Sequence, residues 1–72
     1  MLYNYDLSRD DWETMIEQYI FDERDRKVLK RRLLDGKTYE ALAEEFDMST
    51  QNVKRIVYKG QKRLLKFVHI VF

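Results

Sequence analysis

The segment TYEALAEEFDMSTQNVKRIV (residues 38–57) decides the fold that the sequence predicts. Its apolar residues recur at the spacing of two short amphipathic helices, which are separated only by Asp47, Met48 and Ser49. Two helices joined by so short a turn form a helix-turn-helix motif. Ala43 supplies the small side chain that the crossing of the helices requires, and Met48 is placed to fill the corner between them.

The turn departs from the usual pattern at its first position. The backbone there is left-handed and the residue is most often glycine, whereas this chain has Asp47. Asp and Asn are the non-glycine residues that tolerate this conformation best. We therefore expect the turn to form with Asp47 at positive φ.

Caps and apolar periodicity predict helices at about residues 9–20, 23–35, 39–46 and 50–68, in an all-α, compact four-helix domain. The residues expected to cap them are Ser8, Asp22, Thr38 and Ser49. Leu7 is expected to pack on Trp12 as a hydrophobic staple. Gly36 is placed to end the second helix in a left-handed conformation. Gly60, inside the fourth helix, indicates a close approach of two backbones or a bend.

The formal net charge of +1 conceals a strong asymmetry. Residues 1–49 carry eight Lys and Arg against 13 Asp and Glu, a net of −5, while residues 50–72 carry six Lys and Arg and no acid. Such a block is the electrostatic footprint of a protein that binds a polyanion, although on charge alone a solvated helix face explains it equally well. We expect an acidic N-terminal helix (residues 1–21) packed on a helix-turn-helix DNA-binding domain (residues 22–72), as one structural domain.

Composition argues against several classes of function. The chain has no cysteine and one histidine, His69, and it lacks a glycine-rich phosphate loop. We therefore expect no disulfide, no metal site, no cofactor and no enzymatic activity. No apolar run approaches the roughly 20 residues of a membrane span. The first residues do not resemble a secretory signal, and we expect a cytoplasmic protein.

The second helix of a helix-turn-helix enters the major groove with its first residues at the base edges. The residues that remain on its outer face form the predicted base-reading set, which consists of Ser49, Thr50, Gln51, Lys54, Arg55 and Tyr58. Gln can bond adenine, and Arg or Lys can bond guanine. The side chains expected to hold phosphates are Asn52, Lys59, Lys62, Arg63 and Lys66.

Some alternatives stay open at this level. Tyr58 could equally lie at the edge of the core, and the sequence does not decide whether Lys54 and Arg55 read bases. The same helix-turn-helix geometry also occurs in purely structural three-helix bundles. The fully basic second helix argues against that reading here.

From about residue 21 to residue 65 the sequence resembles region 4 of sigma-70-type bacterial RNA polymerase sigma factors. The resemblance rests on ERDRKVLKRRLLDG (residues 23–36), the connector Lys37-Thr38, YEALAEEFDMS (residues 39–49) and VKRIVYKGQKRL (residues 53–64). The matching positions are Glu23-Arg24, Gly36, Thr38-Tyr39-Glu40, Leu42-Ala43, Ser49 and Val53-Lys54.

The resemblance implies recognition of a promoter element and contact with the flap of the polymerase β subunit. By matched position, the residues that would read DNA are Thr50, Gln51, Lys54 and Arg55. The resemblance further implies that Arg31, Arg32 and Lys37 lie near the phosphate backbone.

The 72 residues lack the domain with which a full sigma factor binds the polymerase core and melts the promoter. The chain is therefore not expected to be a complete sigma factor, and it resembles small stand-alone regulators of bacteriophages and mobile elements. The leading hypothesis is a DNA-binding transcription regulator. The alternative is a module that binds RNA polymerase or another regulator without reading DNA. The apolar tail, residues 69–72, is expected to pack on the core, and it is also the one stretch of sequence suited to a homodimer seam.

Overall fold

The computed structural model of the protein describes residues 8–71, with side chains described as far as residue 67. The helices are α1 (Arg9–Tyr19), α2 (Glu23–Leu29), α3 (Tyr39–Glu45) and α4 (Thr50–Val71), and α2 continues directly into a π-helical turn (Lys30–Leu34). The predicted all-α, four-helix architecture is confirmed. Each of the first three helical segments ends one residue before its predicted end, and α4 extends three residues further than predicted.

Each helix begins where its predicted cap stands. At α1 the Ser8 hydroxyl accepts a hydrogen bond from the Asp11 backbone N–H at 3.1 Å, and the Asp11 carboxylate accepts one from the Ser8 N–H at 3.2 Å. Asp22, Thr38 and Ser49 each accept a bond from the backbone N–H three residues later, at 3.0–3.1 Å. These bonds satisfy donors that a helix start leaves unpaired, which is why the chain turns into helix at these residues.

The apolar side chains form two main clusters that bring α1, α2, α3 and α4 together. The first joins α1, α2 and α4 and contains Ile16, Ile20, Leu29 and Leu64. The second joins α2, α3 and α4 and contains Val28, Leu42, Val53 and Val57. Trp12 is also buried, against Leu33, Leu34 and Leu65, whereas its predicted staple partner, Leu7, lies outside the described residues.

Polar contacts hold α1 in place at both of its ends. Near the start, the Arg9 guanidinium donates to the Leu34 carbonyl at 2.8 Å and to the Asp35 carboxylate at 2.7 Å. This contact holds the pKa of Asp35 below its usual value. At the other end, the Tyr19 carbonyl accepts a hydrogen bond from Arg63 of α4 at 2.6 Å. The acidic α1 is therefore packed on the remaining helices rather than extended away from them.

The π-helical turn is a feature that the sequence did not predict, since a continuous α-helix was expected up to residue 35. The Asp35 N–H bonds to the Lys30 carbonyl at 3.2 Å, five residues back, and Gly36 then ends the segment at φ 71° as expected. A π turn holds more residues than an α turn, which changes the direction of the side chains that follow. Leu33 and Leu34 pack towards Trp12.

Gly60 lies against a side chain rather than against a second backbone. A Cβ atom at Gly60 would lie 2.5 Å from Cδ1 and 2.7 Å from Cδ2 of Leu29. The backbone of α4 therefore lies directly against a fully buried side chain of α2, and α4 stays helical through this point. The expected close approach exists, but the partner is a side chain.

We expect Gly60→Ala to lower the free energy of unfolding by about 1 kcal/mol net. Overpacking a core typically costs about 1–3 kcal/mol, which exceeds the roughly 1 kcal/mol that alanine contributes over glycine in a helix. Urea denaturation of the two proteins measures the difference.

A Leu29→Val background provides the matched control for Gly60→Ala. The shorter side chain leaves room for the added methyl group, so the penalty of Gly60→Ala should shrink there. Unchanged or increased stability of the single variant would contradict the packing described for Gly60.

Candidate nucleic-acid interface

The turn between α3 and α4 has the predicted geometry. Asp47 has a φ of 53°, in the left-handed region. Met48 is half-buried and packs against the cluster shared by α3 and α4, and its N–H donates to the Ala43 carbonyl at 2.9 Å. The turn thus fixes the angle at which α4 leaves the rest of the domain.

The predicted base-reading side chains lie at the start of α4, mostly on its outer side. Five of the six are exposed, namely Ser49, Gln51, Lys54, Arg55 and Tyr58, while Thr50 is half-buried. Val53 and Val57 are fully buried on the opposite side of the same helix, which fixes its rotation. Tyr58 is 57% exposed, so it belongs to the surface rather than to the core.

A basic cleft of about 270 Å³ lies beside this face. Its charged and amide side chains are those of Arg24, Asn52, Arg55 and Lys59, together with one acid, Asp25. Burial and the nearby Asp22 raise the pKa of Asp25, while Arg24 and Lys59 act in the opposite direction. Arg24 was not among the predicted site residues. Arg24 is one of the positions that match the sigma region 4 pattern, but nothing in its local sequence shows that it faces α4.

Three of the cations predicted to lie near phosphates already have partners inside the protein. Arg31 binds the Glu45 carboxylate with Nε and Nη2, at 2.9–3.2 Å, and this contact raises its pKa. Arg32 donates to the Lys37 carbonyl at 2.8 Å. Arg63 donates to the carbonyl at the end of α1 and lies 5.1 Å from the centre of the Phe21 ring.

The remaining predicted phosphate-binding side chains point outward. These are Lys37, Asn52, Lys59, Lys62 and Lys66, all of them exposed. Within residues 8–67, the side chains of Lys59, Lys62 and Lys66 form no hydrogen bond and no ion pair. Because α4 carries no acid, this face is mainly positive, and Asp25 of α2 is the acid that lies beside Lys59 in the cleft.

A family model described as "Sigma-70, region 4" matches residues 21–66 of the 72-residue chain. The chain belongs to the sigma-70 region 4 family. Sigma-70 region 4 is a DNA-binding helix-turn-helix domain family rather than an enzyme family. Comparison with the curated proteins and with the solved structures gives no match. Among the helices of the described part of the chain, none has the length and apolarity needed to cross a membrane.

The contrast between outward-pointing and paired cations leads to a prediction about salt dependence. Replacing Lys62 with Gln should make the slope of log K against log salt for a DNA duplex less negative by about 0.9, the value for one phosphate contact. Arg31→Gln should leave that slope unchanged, since its guanidinium is already paired with Glu45. Fluorescence anisotropy at several salt concentrations measures both. Equal slope changes in the two variants would contradict this division of the cations.

Proposed function

We propose that this sigma region 4 domain is a transcription regulator that reads a DNA sequence in the major groove with α4, starting at Ser49. The observation that carries the proposal is the division of α4 into two sides. Val53, Val57 and Leu64 are fully buried on one side, and on the other an acid-free row of polar and basic side chains is exposed. A helix held in this way can enter the groove without any rearrangement of the core.

The position of each exposed side chain on α4 and in the adjacent cleft indicates whether it would contact bases or phosphates. Gln51 and Arg55 stand on the exposed side near the start of α4 and have the bidentate groups that suit adenine and guanine. Arg24, Asn52 and Lys59 line the cleft beside them, where a phosphate would meet several donors. Lys62 and Lys66 extend the basic face along α4 and would bind phosphates further along the duplex.

The exposed residues at the start of α4 form the proposed reading surface, which consists of Ser49, Gln51, Lys54, Arg55 and Tyr58. In the described contacts, the acidic α1 does not cover this reading surface. It meets α4 through Arg63, Leu64, Leu65 and Phe67, towards the far end of the helix from Ser49. Its Glu17 carboxylate pairs with Lys30 and lies 3.9 Å from Arg26, and the Lys30 contact lowers the pKa of Glu17. In the proposal, α1 completes the core.

A homodimer through residues 69–72, a cytoplasmic location and a bacterial or phage source also remain part of the proposal.

A second function is favoured by one further observation. A cleft of about 470 Å³ is lined by α1, α2 with its π-helical turn, and the end of α3, with Leu34 and Phe46 among the lining residues and charged groups around them. A protein such as the polymerase β flap could bind there while α4 contacts DNA. If the domain is a protein-interaction module only, it would bind the protein partner in this cleft without reading DNA.

Selection of binding sites from a randomised duplex library tests the leading proposal. We expect the protein to enrich one sequence, and Arg55→Ala and Gln51→Ala each to lose about 1–3 kcal/mol of discrimination at a single position. Lys66→Gln serves as the control, because loss of a phosphate contact should weaken binding to all duplexes equally.

The opposite outcome would shift the assignment to the second function. If the folded protein enriches no sequence, reading of DNA by α4 is contradicted. Binding of the isolated β flap, weakened by Lys27→Glu in the second cleft, would then support the protein-interaction function. Lys27 is exposed, so its substitution should leave the fold intact.

A further inference from the structure

The ring of Tyr39, the first residue of α3, is in contact with three side chains at the edge of the reading surface. The Arg32 guanidinium carbon lies 4.2 Å from the ring centre, and the Lys54 ammonium nitrogen lies 5.6 Å from it. The ring of Tyr58 meets it edge-on, with 6.3 Å between centres and 80° between planes. Both cation distances fall within the range of a cation–π interaction, about 6 Å.

Tyr39 is itself held firmly. The Thr38 cap fixes the start of α3, and the half-buried Tyr39 side chain packs against the cluster that contains Leu42 and Val53. Arg32 lies in the π-helical turn, and besides its contact with the Tyr39 ring its guanidinium donates a hydrogen bond to the Lys37 carbonyl. The ring is thus held by contacts within the protein itself.

Lys54 and Tyr58 both contact the Tyr39 ring from α4. They stand one helical turn apart on α4, and both are exposed. Within residues 8–67, neither side chain forms a hydrogen bond or an ion pair, and both contact the Tyr39 ring. A long side chain loses rotamer freedom when it binds, and holding it in advance reduces that loss.

The charges around the ring point to an anionic partner. Arg32 and Lys54 approach the same ring, and within residues 8–67 neither forms an ion pair with a carboxylate. Two like charges held near each other repel, and an incoming nucleic acid would relieve that repulsion. A purely structural position would not require this arrangement, since any apolar side chain of similar size would fill the core beneath it.

We propose that Tyr39 is a positioning residue for DNA recognition, which holds Lys54 and Tyr58 in the orientation in which they meet the duplex. This inference rests on the proposed function. It adds a residue of α3 to the determinants of specificity, although Tyr39 itself need not touch DNA.

The test uses the intact chain with Tyr39→Leu and Tyr39→Phe, the duplex selected by the wild-type protein, and a scrambled duplex of the same composition. Tyr39→Phe keeps the ring and should bind both duplexes as the wild type does. Tyr39→Leu should bind the selected duplex about two- to fivefold more weakly, the factor that an exposed cation–π contact supports, with little change on the scrambled one. Amide spectra of each variant establish that it is folded.

A double-mutant cycle with Lys54→Met separates positioning from a general loss of structure. If Tyr39 acts through Lys54, adding Tyr39→Leu to Lys54→Met should cost less than Tyr39→Leu costs alone. The side-chain proton shifts of Lys54, moved by the ring current of Tyr39, should return to ordinary values in Tyr39→Leu and stay shifted in Tyr39→Phe.

Phe21→Leu is the matched control, because it removes another aromatic ring that contacts an arginine, here Arg63. It should change binding to the two duplexes by the same factor. Fully additive penalties, or equal losses of Tyr39→Leu on both duplexes, would overturn the inference while leaving the proposed function intact. Failure of the wild-type protein to bind DNA would instead contradict the proposed function, and the inference with it.

Discussion

The contact between α4 and α2 at Gly60 and Leu29 is the constraint on which the functional surface depends. Because the space that a side chain at position 60 would fill is occupied by Leu29, α4 lies close against α2. The fully buried Val53 and Val57 continue this contact towards the turn and fix the rotation of α4 about its axis. The direction in which Arg55 points is therefore a consequence of core packing.

The packing of the helices also separates charged groups that pair inside the protein from cations that stay exposed on α4. Acids of α1 and α3 pair with cations of α2 and its π-helical turn, as Glu17 does with Lys30 and Glu45 with Arg31. The cations of α4 have no acid on their own helix, so the positive charge is concentrated on the face that points outward. The small net charge of the chain thus coexists with a strongly basic surface, which is what binding to a polyanion requires.

Local chemistry made much of this predictable from the sequence. Cap residues, the left-handed Asp47 and the apolar spacing each depend on a few neighbouring residues, and the helices and the turn were predicted from them. The π-helical turn, the side chain packed against Gly60 and the contact of Lys54 with the Tyr39 ring were not predicted. They depend on which side chains meet across helices, and residues far apart in sequence carry no local signal of such contacts.

Amide NMR spectra of the labelled protein, recorded while a mixed-sequence DNA duplex is added at low salt and the salt is then raised, test the central claim most directly. Binding by α4 predicts chemical-shift changes concentrated in residues 49–66, which reverse as salt displaces the phosphate contacts. A folded spectrum without changes, or changes confined to α1 and the cleft around Leu34, would contradict the assignment of α4 as the DNA-reading helix.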